Sequence, residues 1–520
     1  MKAPFGLDYQ EYRNSRRTPV YWDVSQLQNA HMLLIGRSGA GKTTLLRKLL
    51  AGMLSTLPGY ERPGRMTRFH ILDVHEDISV PGASEVLFSQ ATPYGLNPLR
   101  VGADPDYGGV NRCIEGFLHI VNKATGTLGA RQEATLRKIL LDVYRMHGFD
   151  PKKPETWHVD ESMARLVSDG SDGRLYLDVP YAEREDASQL GARWDREMKI
   201  PGRNGLWWVA PEAYTGGITR WRPMTLGRTH PTLDDVIRFT SNLVKLSFMG
   251  SDQEAVSKLE VFHKEARSMR KKMIDAVKAG RDIPDGRDDG DSPLGRAREK
   301  AIQSYSRYLE SVTTGFEFDD LIKYDSTEML KSVLDRLETL AATGLFKGEP
   351  PPFDPDANVW RYKLKPLSSA GKKMFVLFKL QEIFNEAVAR GEQDRVLDVI
   401  VLDEAHRYVE EKGDDMLSTL AREARKFGVG VIACNQDADL PKAFIGSLGT
   451  KVVLGIDRTY WPQAVTKMGL DMDQLRWIQP FKTLAVQMHN NTPLSGVWRA
   501  VLLAEPRAMP GVSASAQSAQ

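Results

Sequence analysis

Met32-Leu33-Leu34-Ile35-Gly36-Arg37-Ser38-Gly39-Ala40-Gly41-Lys42-Thr43 is the stretch whose reading decides the fold. Its first four residues are an apolar run of the length a short buried strand needs, and the run ends at Gly36. From Thr43 to Met53 the apolar positions Leu45, Leu46, Leu49 and Leu50 recur at helical spacing. The segment between satisfies G-x-x-x-x-G-K-[ST] in full, with a strand before it and a helix behind it, as the mechanism of a phosphate-binding loop demands. Glycines let backbone N–H groups close around a β-phosphate, and the helix N-terminus adds partial positive charge. Lys42 reaches the β and γ oxygens, and Thr43 offers a hydroxyl to magnesium. Gly36, Arg37, Ser38, Gly39, Ala40, Gly41, Lys42, Thr43 and Thr44 are therefore the expected contacts to ATP, with Mg2+ as its companion ion. A plain glycine-containing turn would account for the glycines but not for both flanks.

Moving outward, Arg68 to Val74 reads as a second strand with Asp73 at its carboxyl end, and Ala130 to Met146 as an amphipathic helix. Strand and helix alternate again late in the chain. Phe375 to Arg390 is a helix ended by Gly391, and Val396 to Leu402 is an almost wholly apolar strand with Asp403 at its tip. A helix (Asp414 to Lys426) and strands at Val429 to Ala433, Lys451 to Ile456, Thr483 to Met488 and Gly496 to Leu503 complete the pattern. A phosphate loop needs a distant carboxylate to hold its metal, best placed at the end of a buried strand beside the loop's own strand. Asp403 meets that need, and Glu404 next to it is placed to polarise an attacking water. An Asp-Glu pair is more often solvated surface, but this one closes a buried run. Gln436 follows the strand Val429 to Ala433 and is either a γ-phosphate sensor or a satisfied loop amide. Arg425, in the last turn of a helix, is either a finger reaching a neighbouring subunit's site or a cation favoured by the helix dipole.

The chain has 520 residues, more than one core usually serves, so an α/β core with insertions is expected. The core should occupy 1–150 and 351–505. Between them lie a Trp-rich α+β module over 157–224, where five of the ten Trp fall between Trp157 and Trp221, and an all-helical insertion over 225–350. Strands at Leu175 to Val179 and Leu206 to Val209 flank a helix from Glu183 to Leu190 in the module. Within 280–295 stand five Asp, four Gly and two Pro, a linker composition that does not match the calcium-loop spacing. Residues 506–520 read as a disordered tail. Lys plus Arg total 70 against 68 Asp plus Glu, a formal charge of +2, so nothing in the whole-chain charge points to nucleic acid or membrane. The basic stretch Lys258 to Lys272 also holds Glu260 and Glu265, which suits a solvated helix face as well as a phosphate-tracking one. Two cysteines, Cys113 and Cys434, build no disulfide framework and fit a reducing compartment. With a polar start, Met1 to Pro19, and no apolar run of membrane length, the expectation is a cytoplasmic protein without direct membrane insertion.

Pro19-Val20-Tyr21-Trp22-Asp23-Val24, Asn29-Ala30-His31 before the loop strand, Asp403-Glu404-Ala405-His406-Arg407, and Glu423-Ala424-Arg425-Lys426-Phe427-Gly428-Val429-Gly430 together resemble the HerA–FtsK superfamily. Asn97-Pro98-Leu99 and Pro231-Thr232-Leu233-Asp234-Asp235 look like its TraC-type ATPases of conjugation and type IV secretion. The resemblance covers about residues 18–150 and 225–505. It implies a RecA-like ATPase that assembles as a hexamer, moves DNA, and engages secretion or conjugation proteins, which would bring it to the inner membrane peripherally. Position by position it implies phosphate binding by Lys42, metal binding by Thr43 and Asp403, catalysis by Glu404, sensing by Gln436 and a trans role for Arg425. Only about 30 residues precede the loop, so the N-terminal barrel of HerA, the membrane segments of coupling proteins and the large N-terminal domain of secretion ATPases are expected to be missing. Leu177-Asp178-Val179-Pro180-Tyr181-Ala182-Glu183, Leu190-Gly191-Ala192-Arg193-Trp194-Asp195 and Trp207-Trp208-Val209 resemble a small domain of unknown activity found in plasmid primases. Its Trp and Arg residues would stack on single-stranded nucleic acid, or simply form a small aromatic core. Other classes compete. Asp403-Glu404-Ala405-His406 spells a superfamily-two helicase box, but no final arginine-glycine-rich motif follows it. Leu367-Ser368-Ser369-Ala370-Gly371 lacks the paired glycines of an ABC signature. A HerA-like translocase or helicase of repair or anti-phage defence, or a non-motor nucleotide-binding module, stands as the alternative, and a mere binder would not need Glu404.

Overall fold

The computed structural model describes residues 1–160, 166–168, 170–179, 183–200, 203–249, 253–278, 292–311, 326–413 and 415–503. Most of the Asp/Gly segment at 280–295, the tail at 506–520, Asp414 and Pro180-Tyr181-Ala182 lie outside them. In chain order the strands are β1 (Lys2–Asp8), β2 (Pro19–Asp23), β3 (Met32–Ile35), β4 (Arg68–Asp73), β5 (Ser84–Leu87), β6 (Leu175–Leu177), β7 (Arg193–Ile200), β8 (Arg203–Val209), β9 (Val359–Lys363), β10 (Asp398–Leu402), β11 (Val429–Asn435), β12 (Thr450–Val453), β13 (Thr483–Met488) and β14 (Trp498–Leu502). The chain forms two compact units, Met1–Leu96 with Thr343–Gln520, and Asn97–Ala342.

The first unit is built on an eleven-stranded sheet among the described residues, ordered β2-β1-β14-β13-β12-β3-β11-β10-β4-β9-β5. From β12 to β5 every pairing is parallel, and β13, β14, β1 and β2 extend the sheet antiparallel. This is the α/β sheet of a RecA-like core. β3, β10 and β11 are buried along their whole length, as the sequence of apolar runs demands when both faces are covered. The helix Lys42–Ser55 buries Leu45, Leu46, Leu49, Leu50 and Met53 in one core with Phe5, Val20 and Trp22 from β1 and β2. Each such leucine adds about 1.5–3 kcal/mol through burial. β1, β5 and β9 are sheet members that hydropathy runs do not announce, because each mixes polar and apolar residues at the edge regions.

His31, fully buried at the foot of β3, accepts a hydrogen bond at Nδ1 from the Val431 N–H (3.1 Å). Its Nε2 has no partner. Burial first, and then the charge of Arg425, push its pKa from 6.5 down to about 4. Below pH 6.5 the unfolded chain therefore takes a proton that the folded one refuses, so stability falls as pH drops from 6.5 to 4 and this contribution levels off below. We expect the urea midpoint of His31→Gln to move less between pH 7 and pH 4.5 than that of the native chain. Equal losses in both would remove His31 as the cause.

In the second unit, the helices Val110–Thr125, Ala130–Met146, Leu233–Met249 and Thr327–Ala341 pack together, and Gln253–Lys278 pairs with Pro293–Ser311. The expectation that the phosphate-loop part runs to residue 150 put the helix Ala130–Met146 there, whereas it belongs to the second unit; periodicity identifies an apolar face but not the core that receives it. Lys264, Arg267, Arg270, Lys271 and Lys272 lie exposed on the helix Gln253–Lys278. A small antiparallel sheet, β6-β8-β7, carries two aromatic-aliphatic cores, one around Leu177, Ala187 and Trp221 and one around Tyr176, Leu206 and Trp208 that also draws in Val167 and Leu226.

Candidate functional site

The phosphate loop is hung between the tips of both neighbouring strands. Gly36 N–H donates to the Asn435 carbonyl at the end of β11 (3.1 Å), and Arg37 N–H to the Gly455 carbonyl beyond β12 (2.9 Å). Gly39 and Gly41 take left-handed backbone angles, φ +76 and +92, which a side chain would strain. Gly41 is the N-cap of the helix Lys42–Ser55 and provides no side-chain cap, so first-turn N–H groups remain for an anion.

Lys42 and Thr43 each face a carboxylate. Lys42 Nζ lies 3.5 Å from Asp403 Oδ1 and donates to the Asn435 carbonyl at 3.4 Å. The Thr43 hydroxyl donates to Asp77 Oδ2 at 3.0 Å. Asp403 does not stand on the strand beside β3, as the sequence reading had placed it, because β11 lies between β3 and β10. At about 4.8 Å per strand, the long Lys42 side chain bridges that extra spacing. The strand that intervenes brings Asn435, fully buried, into the middle of the site. Its Oδ1 shares a hydrogen bond with His406 Nδ1 (2.8 Å), and its Nδ2 donates to the Asp437 carbonyl (3.0 Å). Gln436, chosen from sequence as the sensor, is exposed one residue beyond the strand.

Glu404 has a left-handed backbone, φ +52, and is buried. Its Oε2 lies 2.8 Å from Arg407 Nε and 3.4 Å from His75 Nε2, yet it receives no well-directed hydrogen bond. The Arg407 contact is an ion pair, and the carboxylate keeps an unfilled acceptor. Asp77 Oδ1 is buried and unfilled in the same way. The turn holding His75 and Asp77 is drawn in by Asp73, whose carboxylate accepts from the N–H groups of His75 (3.3 Å), Glu76 (2.7 Å), Asp77 (3.3 Å) and Ile78 (3.0 Å). Arg361 from β9 clamps Asp73 at 2.7 Å and Glu85 at 2.7 Å. Sequence reasoning noted Asp73 at a strand end but missed His75, Asp77 and Arg361; a carboxylate followed by a short polar run was the one local signal, since Asp often accepts from the turn after it.

A hard cation fits this donor set. Asp77 keeps one buried carboxylate oxygen without a hydrogen-bond donor while its other oxygen accepts from the Thr43 hydroxyl, Asp403 stands across from Lys42, and no group of three His, Cys, Asp or Glu forms among the described residues. That suits an ion such as magnesium, which keeps waters and phosphate oxygens in its octahedron. Arg425 is exposed on the short turn Ala424–Phe427 ahead of β11, at the amino edge of the sheet where its charge reaches His31. It does not join the phosphate loop of its own chain. Cys434 is buried, and burial followed by the Asp403 charge pushes its thiol up, which makes it an inert core residue. Of the Trp residues in the small module, Trp221 is buried and Trp207 and Trp208 are half-buried, whereas Trp194 is 49% exposed.

Residues 11–86 match the family of the helicase HerA central domain, and residues 174–223 match a domain of unknown function, DUF5710. A stretch of 50 residues is 42% identical to the DNA primase TraC of Escherichia coli; it is 10% of this chain and 4% of that protein, so the chain spans a small part of that relative. Among solved structures the fold is that of VirB4 of Thermoanaerobacter pseudethanolicus, with a TM-score of 0.52 at 13% identity over 98% of this chain and 97% of that one. The plasmid coupling protein TrwB, solved with the non-hydrolysable analogue ADPNP, aligns at TM-score 0.43 and 12% identity over 97% and 94% of the two chains. The resemblance to HerA–FtsK proteins read from the loop region agrees with the HerA match. No helix among the described residues is long and apolar enough to cross a membrane.

Proposed function

We propose that this chain is an ATP-hydrolysing ring motor that drives DNA translocation in conjugative transfer or type IV secretion, working in the cytoplasm and reaching the inner membrane through partner proteins. The observation that supports the reading is the meeting of Lys42 with Asp403 at 3.5 Å, which sets Thr43, next to Lys42, and Glu404, next to Asp403, at one end of the sheet although 360 residues separate Thr43 from Asp403. The loop from Gly36 to Thr44 cradles the phosphates through the N–H groups that the Asn435, Gly455 and Arg37 carbonyls do not take, and Lys42 neutralises the β and γ oxygens. Thr43 and Asp403 would hold magnesium, which when bound draws charge from the phosphate bridge. Glu404 orients the attacking water and accepts its proton, and Asn435 and Gln436 at the tip of β11 sense the γ-phosphate. Arg425, exposed and remote from its own loop, acts on a neighbour's site in a hexameric ring. The HerA match favours a second reading, a DNA-processing translocase of repair or defence.

The test is hydrolysis with and without double-stranded DNA, on protein of measured oligomeric mass. DNA stimulation by rings supports the motor, whereas monomers hydrolysing at a DNA-independent rate would overturn it. In mixtures of Arg425→Ala with Glu404→Gln subunits, recovered hydrolysis supports the trans role, and intact rings without recovery would return Arg425 to a helix-end cation.

A further inference from the structure

Phe481 lies in the turn between the helix Met472–Trp477 and β13. Its backbone is left-handed, φ +62, a conformation that bulky residues avoid and that persists only where the surroundings impose it. The surroundings do impose it. Lys482 N–H and Thr483 N–H both donate to the Gln479 carbonyl (3.1 and 3.0 Å), and the Lys482 carbonyl accepts from Leu503 N–H at 2.8 Å. Gln479 N–H in turn donates to the Thr483 hydroxyl at 2.7 Å. Core packing does not explain this geometry, because Phe481 remains 56% exposed.

The ring lies close to the phosphate loop. A Cβ on Gly41 would meet Phe481 Cδ1 at 2.9 Å and Cε1 at 3.0 Å, so the ring rests against the last glycine of the phosphate loop, immediately before Lys42. A strained, rigidly held, half-open aromatic face therefore stands against the phosphate loop. Phosphate binding by backbone N–H groups leaves a nucleoside without a contact, and the loop contacts described above provide it with no apolar surface.

We infer that Phe481 is the stacking platform for the base of the nucleoside triphosphate held by the phosphate loop, an inference that rests on the nucleotide-binding reading of that loop. Since every base has a π-face, the platform favours nucleotides over bare polyphosphate without choosing strongly among bases. It also gives Gly41 a second reason to lack a side chain: a Cβ there would displace the ring.

The experiment is calorimetric titration of the full chain with ATP, GTP and inorganic tripolyphosphate in the presence of magnesium, together with thermal melts. Phe481→Ala should weaken ATP and GTP by about tenfold or more and leave tripolyphosphate within about twofold. Phe481→Trp should keep the ATP affinity, and Phe481→Gly, which suits the left-handed backbone, should lose the ATP preference without a lower melting temperature than Phe481→Ala. Equal weakening of ATP and tripolyphosphate in Phe481→Ala would show that the ring merely supports the loop. Tighter ATP binding would show that it obstructs the site, and unchanged ATP affinity would show that it does not touch the base; each overturns the inference while leaving the loop assignment intact. A native chain that binds neither ATP nor tripolyphosphate would overturn the nucleotide reading itself.

Discussion

Glu404→Gln should bind ATP as the native chain does and hydrolyse it slower by a factor on the order of 100 or more. The amide keeps the volume of the buried side chain but cannot accept the proton of an attacking water. The native carboxylate is suited to that task because Oε2 is buried, has no directed donor, and lies between Arg407 at 2.8 Å and His75 at 3.4 Å. Lys42→Ala should behave differently. It removes a phosphate contact and the cation that faces Asp403 at 3.5 Å, so binding and turnover should fall together. Equilibrium binding of a fluorescent ATP analogue beside steady-state phosphate release separates the two outcomes. Full turnover by Glu404→Gln would refute the assignment of Glu404 as the base.

The second large effect is on stability. Arg361→Met should cost about 3–5 kcal/mol, because it leaves a buried carboxylate without its countercharge. Asp73 is fully buried and Arg361 is nearly so, and the guanidinium reaches Asp73 through Nε at 2.9 Å and Glu85 through a second nitrogen at 2.7 Å. Arg361→Lys should rescue little, since a single ammonium cannot span both carboxylates in the fork geometry. The consequence extends to the site, because Asp73 also gathers the four N–H groups of the turn that presents His75 and Asp77. Urea unfolding followed by tryptophan fluorescence measures the cost; a loss below about 1 kcal/mol would mean that the four backbone donors alone satisfy Asp73.

What the sequence determined by itself was local. A four-residue apolar run, a glycine spacing and a helical repeat of leucines lie within a single strand-loop-helix, and the physics that joins them acts between residues a few positions apart. Asp403 was legible for a related reason: five buried positions in succession, Asp398–Leu402, ending in two carboxylates, mark a strand covered on both faces with its tip at the open end of a sheet. The choice of partners was decided only by the tertiary structure. Hydropathy does not encode strand order, so nothing local showed that β11 separates β3 from β10, or that the buried amide at the site is Asn435 rather than Gln436. Arg361 and Asp73 stand 288 positions apart, and neither carries a mark of the other until β9 pairs with β4. Arg425 precedes a strand and so falls at the edge of the sheet opposite the phosphate loop, a separation of about 20 Å along seven residues at roughly 3.3 Å each that only the direction of β11 establishes. Phe481, one aromatic residue in a polar turn, gives no periodic signal at all. Its place against Gly41 follows from closing the parallel sheet with antiparallel strands, which returns the chain to its own beginning.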